Sequence, residues 1–83
     1  MSSDISLRIL SQSLRNTVLV RLRSGKMLRG ILQGYDQHMN LVLERAEEIV
    51  EGNTPQKPLG TIVVRGDNIV MVSPTVKQES KQP

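Results

Sequence analysis

The chain of 83 residues contains no cysteine, no tryptophan and no phenylalanine, and Tyr35 is its single aromatic side chain. The absence of cysteine removes disulfides and thiolate metal sites, and one histidine does not make a zinc centre. The absence of aromatics leaves a small core without its bulkiest filler. A domain of this length has a thin core and usually draws stability from a disulfide, a metal or a partner chain. With the first two gone, self-association is the expected source. No apolar run is long enough to span a membrane, and no secretory hydrophobic segment follows the start. A cytoplasmic location with no membrane partner is therefore expected. Catalytic groupings are missing as well. The serines cluster near the start and in the tail, away from any base, and no phosphate-binding glycine loop is present. Glu44, Glu47 and Glu48 read as a solvated strand edge. No catalytic residue, metal ligand or cofactor is expected, and the chain does not read as an enzyme. The formal charge of +3 suits an anionic partner without establishing one.

What is present is a change of hydrophobic period along the chain. Leu7, Leu10 and Leu14 fall at helical spacing, with Ser3 or Asp4 placed to cap. This predicts a short amphipathic helix over about 4–14, lying on a sheet. From Thr17 to Arg23 the pattern alternates, with Val18, Val20 and Leu22 on one face. Ser24-Gly25 makes a tight turn. The returning strand, about 26–34, places Leu28, Gly30 and Leu32 inward, and Gly30 and Gly34 allow a sharp bend. A third strand, about 39–48, turns Met39, Leu41 and Leu43 inward; Ala46 breaks the period and predicts a bulge near Arg45. Gly52 to Pro58 is a loop by composition, expected to protrude. The last strands, about 59–65 and 68–72, are apolar on consecutive residues, as at Ile62-Val63-Val64 and Ile69-Val70-Met71-Val72. Such strands are buried on both faces, which one small domain cannot supply. A neighbouring copy paired edge to edge can, and such a contact must close into a ring or run on as a filament. One domain over 1–73 and a flexible polar tail over 74–83 follow. The fold class is mostly β: an N-terminal α-helix followed by five strongly bent antiparallel strands in a small open barrel.

Two polar knots interrupt these strands. The first runs from Gly34 to Asn40 and the second is Arg65-Gly66-Asp67-Asn68. A single-stranded RNA base offers two flat faces and a polar edge. His38 presents a flat ring, and Arg65 a flat guanidinium for the opposite face. The Asn40 amide carries a donor and an acceptor, which match N3–H and O4 of uracil. Cytosine reverses that order, and an amide flip would partly follow it. Ionised Asp36 only accepts, so it suits holding loop amides or orienting Asn68 and Arg65. Asp67, after Gly66, reads as a turn residue. Each residue also has a plainer reading: Asp36 and Asn40 as turn formers, His38 as a solvated loop side chain, Arg65 as a hairpin arginine, Tyr35 as packing. From the residues alone, a nucleotide pocket stands beside these.

The residues Val18-Leu19-Val20-Arg21-Leu22, Gly25, Gly30, Leu32, Asp36, His38-Met39-Asn40-Leu41-Val42-Leu43 and Ala46-Glu47 are similar to the first motif of the Sm and Sm-like (LSm) proteins. Leu59-Gly60 and Val64-Arg65-Gly66-Asp67-Asn68-Ile69-Val70 are similar to the second. The resemblance spans about residues 5–73 and is closest to the archaeal branch, as Asp67 suggests. It implies the Sm fold, an SH3-like open barrel. It also implies a homo-oligomeric ring, usually of seven subunits with six also known, in which the fourth strand pairs with the neighbour's fifth. The implied ligand is uridine-rich single-stranded RNA at the pore rim. By that resemblance His38 and Arg65 sandwich the base and Asn40 reads its edge. Asp36, Gly66, Asp67 and Asn68 support the pocket. The implied role is that of an RNA scaffold or chaperone in ribonucleoprotein assembly or RNA processing; the alternative is a protein-interaction scaffold with weak RNA binding. Some relatives hold a further RNA site near the equivalent of Tyr35. Ile5 and Ser11 stand here where basic or ring-bearing residues would help, so no strong second site is expected.

Overall fold

The computed structural model of the chain describes residues 2–50 and 57–75, with side chains from Leu7 onward. Helix α1 (Ser2–Ser13) opens the fold. It starts earlier than the pattern predicts, so Ser3 and Asp4 lie inside its first turn instead of ahead of it. It also ends one residue sooner. Leu14 therefore falls beyond the helix and is 37% exposed, while Ser13 takes the inward position. The Ser13 hydroxyl donates to the Ile9 carbonyl at 2.9 Å, which satisfies it inside the core. Leu10 is the buried anchor of the helix, and Leu7 packs beside it. The turn after the helix is made by Arg15 at a left-handed φ of 68°, a common helix exit. Its N–H donates to the Leu32 carbonyl at 2.7 Å, and the Leu32 N–H donates back to Asn16 at 3.0 Å.

Strands β1 (Thr17–Leu22), β2 (Met27–Tyr35), β3 (Leu41–Ile49), β4 (Lys57–Val64) and β5 (Ile69–Pro74) form one sheet in the order β4-β3-β2-β1-β5. Every pairing is antiparallel. The alternation decides the inner face. Val18, Val20, Leu28, Leu32, Leu41 and Leu43 point into one cluster with Leu10, Ala46 and Val64. Each such leucine or valine contributes roughly 1.5–3 kcal/mol on burial. The strand ends differ from the expected ones by one to a few residues. Arg23 and Lys26 fall in the β1–β2 turn, where Gly25 takes φ 94° and donates to the Leu22 carbonyl at 2.9 Å.

The expected bulge is at Arg45, which has φ 53°. Both ladders of β3 shift register there, from Ile31↔Glu44 to Arg29↔Glu47 and from Leu43↔Ile62 to Ala46↔Gly60. Gly30 is the residue that admits it. A Cβ at Gly30 would lie 3.1 Å from Leu43 Cβ and 3.2 Å from the Glu44 carbonyl oxygen. Gly34 has no such neighbour and only marks a second register shift.

The strand order makes β4 and β5 the two edges of the sheet. Only Arg65 to Asn68 join them, and three of those residues coil into a 3-10 turn, Gly66–Asn68. A flat sheet of five strands would separate its edges by about 19 Å, at roughly 4.8 Å per strand. A 3-10 turn advances about 2 Å per residue, so the sheet must curl until its edges meet at that end. The edges themselves are not covered within one chain. Val63 is 68% exposed, Val70 60% and Met71 43%. The burial expected for both faces of these strands is therefore absent in the single subunit. The expected protruding loop loses Lys57 and Pro58 to β4, and its remainder lies outside the described residues, as does most of the expected tail. Pro74 belongs to β5, and the Thr75 N–H donates to the Thr17 carbonyl at 3.2 Å.

Candidate nucleic-acid interface

The first knot is a five-residue connection, Asp36 to Asn40, between β2 and β3. Its conformation follows from one carboxylate. Asp36 Oδ1 accepts from the His38 N–H at 2.8 Å and from the Asn40 N–H at 3.1 Å. Asp36 Oδ2 accepts from Asn40 Nδ2 at 2.9 Å. The Asp36 carbonyl accepts the Met39 N–H at 3.0 Å. The Asn40 side-chain amide, ahead of the Asn40 N–H, holds the Asp36 carboxyl below the usual carboxylate range, and the His38 N–H and the charge of His38 act in the same direction. Asp36 thus grips its own loop. It does not orient Asn68 or Arg65, the alternative the sequence left open.

Met39 departs from expectation too. It takes a left-handed φ of 68° and lies before β3, not within it. Its side chain still packs against the core cluster. The reversal at Met39 lets the loop send one side chain inward while His38 stays exposed.

The second knot joins the first through Gly66. Its N–H donates to Asn40 Oδ1 at 2.7 Å. A Cβ at Gly66 would collide with the His38 carbonyl oxygen, so only glycine permits this approach. The Asn40 amide is consequently held at both ends: its nitrogen donates to a carboxylate and its oxygen accepts from a backbone N–H. A flip would set oxygen against oxygen at Asp36 and N–H against N–H at Gly66. The flip that would accommodate cytosine is closed. One amide N–H and one acceptor lone pair of Asn40 remain unengaged by these two bonds.

Arg65 is exposed, and its Nη2 lies 3.5 Å from Asp67 Oδ2. Asp67 is therefore more than a turn former, since its carboxylate faces the guanidinium. Asn68 enters by its backbone: its N–H donates to Arg65 at 3.0 Å, and its carbonyl accepts from the Arg23 N–H at 2.9 Å. His38, Met39, Asn40, Arg65, Gly66 and Asp67 line an open depression of about 500 Å³. The structure thus brings together the sequence-predicted residues of both knots. Tyr35, half-buried, packs on the core cluster from the adjoining side. Sequence reasoning missed Arg23, whose Nε donates to the Asp67 carbonyl at 2.6 Å. The outward position of Arg23 in the alternation was the only signal. Among the described residues, no group of three or more acidic or histidine side chains gathers as a metal site, and no helix is long and apolar enough to cross a membrane.

Comparison with known proteins places this geometry. The LSM domain family model matches residues 8–74. A protein of Methanococcoides burtonii described as snRNP Sm-like is 53% identical over 68 residues, covering 82% of this chain and 93% of its own. Among solved structures, the SmAP1 heptamer of P. aerophilum superposes with a TM-score of 0.77 at 48% identity, covering 83% of this chain and 90% of that one. An Sm protein of Pyrococcus abyssi, solved in complex with a uridine heptamer, gives a TM-score of 0.76 at 48% identity, covering 83% and 96%. The helix, the five-stranded antiparallel sheet and the two motifs are those of the Sm fold, and the chain belongs to the LSM domain family as an archaeal Sm-like protein.

Proposed function

We propose that this chain assembles into a homo-oligomeric ring and binds uridine-rich single-stranded RNA, one base per subunit, in the depression between the two knots. The carrying observation is the Asn40 amide, fixed between Asp36 and Gly66 at 2.9 and 2.7 Å. A fixed donor–acceptor edge selects uracil over cytosine. His38 and Arg65 supply the flat groups on either side of the base. Asp36, Gly66, Asp67 and Asn68 hold them in place. Stacking supplies roughly 1–3 kcal/mol per base, and repetition of the pocket around a ring multiplies the affinity for a U-tract. The relative solved with a uridine heptamer supports the ligand, and the heptameric relatives support the ring. The two exposed apolar edges, β4 and β5, support pairing of β4 with the β5 of a neighbour. Seven subunits is the expected size, with six the alternative. In this reading the protein is a cytoplasmic RNA scaffold or chaperone in ribonucleoprotein assembly or RNA processing, and it works by binding, without catalysis.

The test is oligo(U) titration of Arg65→Ala and Asn40→Ala rings whose mass is checked by light scattering. Both substitutions weaken binding at unchanged mass, and Asn40→Ala costs more affinity for U than for C. Wild-type affinity in both variants rejects the pocket. Protein partners that survive nuclease treatment of a pull-down, together with weak oligo(U) binding, would favour a protein-interaction scaffold instead.

A further inference from the structure

We infer that Arg23, a residue outside both knots, is a positioning residue for the RNA site; the inference rests on the RNA reading above. It holds the turn that carries Arg65 and Gly66. Two bonds make the connection. The Arg23 N–H donates to the Asn68 carbonyl at 2.9 Å, and Arg23 Nε donates to the Asp67 carbonyl at 2.6 Å. These are successive carbonyls of one 3-10 turn.

The β1–β5 register explains why Arg23 reaches them. Arg21 pairs with Met71, but Leu22 pairs with Ile69, so Val70 is skipped. This shift carries the strand past the end of β5 and places Arg23 directly opposite Asn68. In an unshifted ladder Arg23 would face Ile69 instead. The 3-10 turn closes on itself through two backbone bonds, Asn68 N–H to the Arg65 carbonyl at 3.0 Å and Ile69 N–H to the Gly66 carbonyl, and these shape the turn without tying it to the rest of the site. It is fixed from two sides: Gly66 leans on Asn40 and His38, and Arg23 pulls from the β1–β2 turn. Without the second hold the turn can withdraw from Asn40. The Gly66 N–H then ceases to define which end of the Asn40 amide is oxygen.

The donor observed is Nε. A glutamine places its Nε2 the same number of bonds from Cα, so Arg23→Gln keeps the bond and removes the charge, whereas Arg23→Ala removes both. The measurement is the affinity of the assembled protein for a seven-residue oligo(U) and a seven-residue oligo(C) across a salt series. Arg23→Ala should weaken oligo(U) about fivefold or more, the equivalent of one lost hydrogen bond. It should also narrow the U-to-C ratio, with ring mass and the slope of log K against log salt unchanged. Arg23→Gln should stay within about twofold of wild type. Wild-type affinity and selectivity in Arg23→Ala overturns the inference. So does equal weakness in both variants with a salt slope reduced by about 0.7, which marks direct contact of the charge with a phosphate. Should Arg23→Ala not assemble, Arg23→Met, which keeps the length of the side chain without the Nε donor, takes its place and is read by the same two criteria. Asn40→Ala separates the two levels. If it weakens binding while Arg23→Ala does not, only the role of Arg23 is lost. If it binds like wild type, the RNA reading itself falls.

Discussion

The two knots are built on opposite plans. The loop from Asp36 to Asn40 is held from within, because one of its own carboxylates accepts from two of its backbone N–H groups and one side-chain amide. The turn from Arg65 to Asn68 closes on its own backbone, with the Asn68 N–H donating to the Arg65 carbonyl at 3.0 Å, but it is placed from outside, by Arg23 on one flank and Asn40 on the other. The first can form as soon as its own residues meet. The second takes its place only after β1 and β3 are in register. The pocket is therefore a preformed half docked against a dependent half, with Gly66 as the joint.

The joint is where the largest effect is expected. Gly66→Ala drives a Cβ into the His38 carbonyl. Overpacking of this kind costs about 1–3 kcal/mol, and relief by separation frees the Asn40 amide. Thermal melting should show the loss, and oligo(U) affinity should fall by more than about tenfold through the lost Asn40 contact. A wild-type melt with wild-type binding would mean that the two halves are not joined there. Next in size is Asp36→Ala, which strikes the self-held half. Amide hydrogen exchange at His38 and Asn40 should accelerate by roughly fivefold for each lost bond, while amides of the Gly66–Asn68 turn change less. Equal acceleration in both knots would erase the distinction between them.

Acid should loosen the first knot, and late. The Asp36 pKa is lowered by the Asn40 amide and its neighbours. A carboxyl depressed in the folded state adds stability above its unfolded value of about 3.9, and that contribution is lost as pH falls through the lower folded value. An NMR titration of the Asp36 carboxyl should find a midpoint below the ordinary one, shifted back upward in Asn40→Ala. The smallest effect is expected for Asp67→Ala. The Arg65–Asp67 pair is exposed, and such pairs are worth about 0–1 kcal/mol. Its melt should be close to wild type; a large loss would show that the second knot is also held by a side-chain pair of its own.

The same contrast explains what could be read in advance. Period two in Val18, Val20, Leu28 and Leu32, and its break at Ala46, are local signals, and each sits where the pattern puts it. The chemistry of Asp36 was legible as acceptor-only; its partners were not, because several donors lay within reach of one carboxylate. Leu14 was misplaced because helix termination at Ser13 depends on Arg15 reaching Leu32, a contact between segments. Met39 looked like a strand residue because its apolar side chain does turn inward, while its φ of 68° leaves no mark in a hydrophobic pattern. Arg23 was invisible because its role comes from the skipped Val70 across the sheet.

The strand order has one more consequence. Each subunit carries two unlike open edges, β4 and β5, and in the proposed ring each edge meets its complement on a different neighbour. A variant spoiled on β4 alone, such as Val63→Asp, keeps a working β5. It would still add to a growing arc at one end and then offer nothing for the next subunit to grip. Co-expressed with the intact chain, it would behave as a chain terminator, poisoning assemblies well below equal stoichiometry.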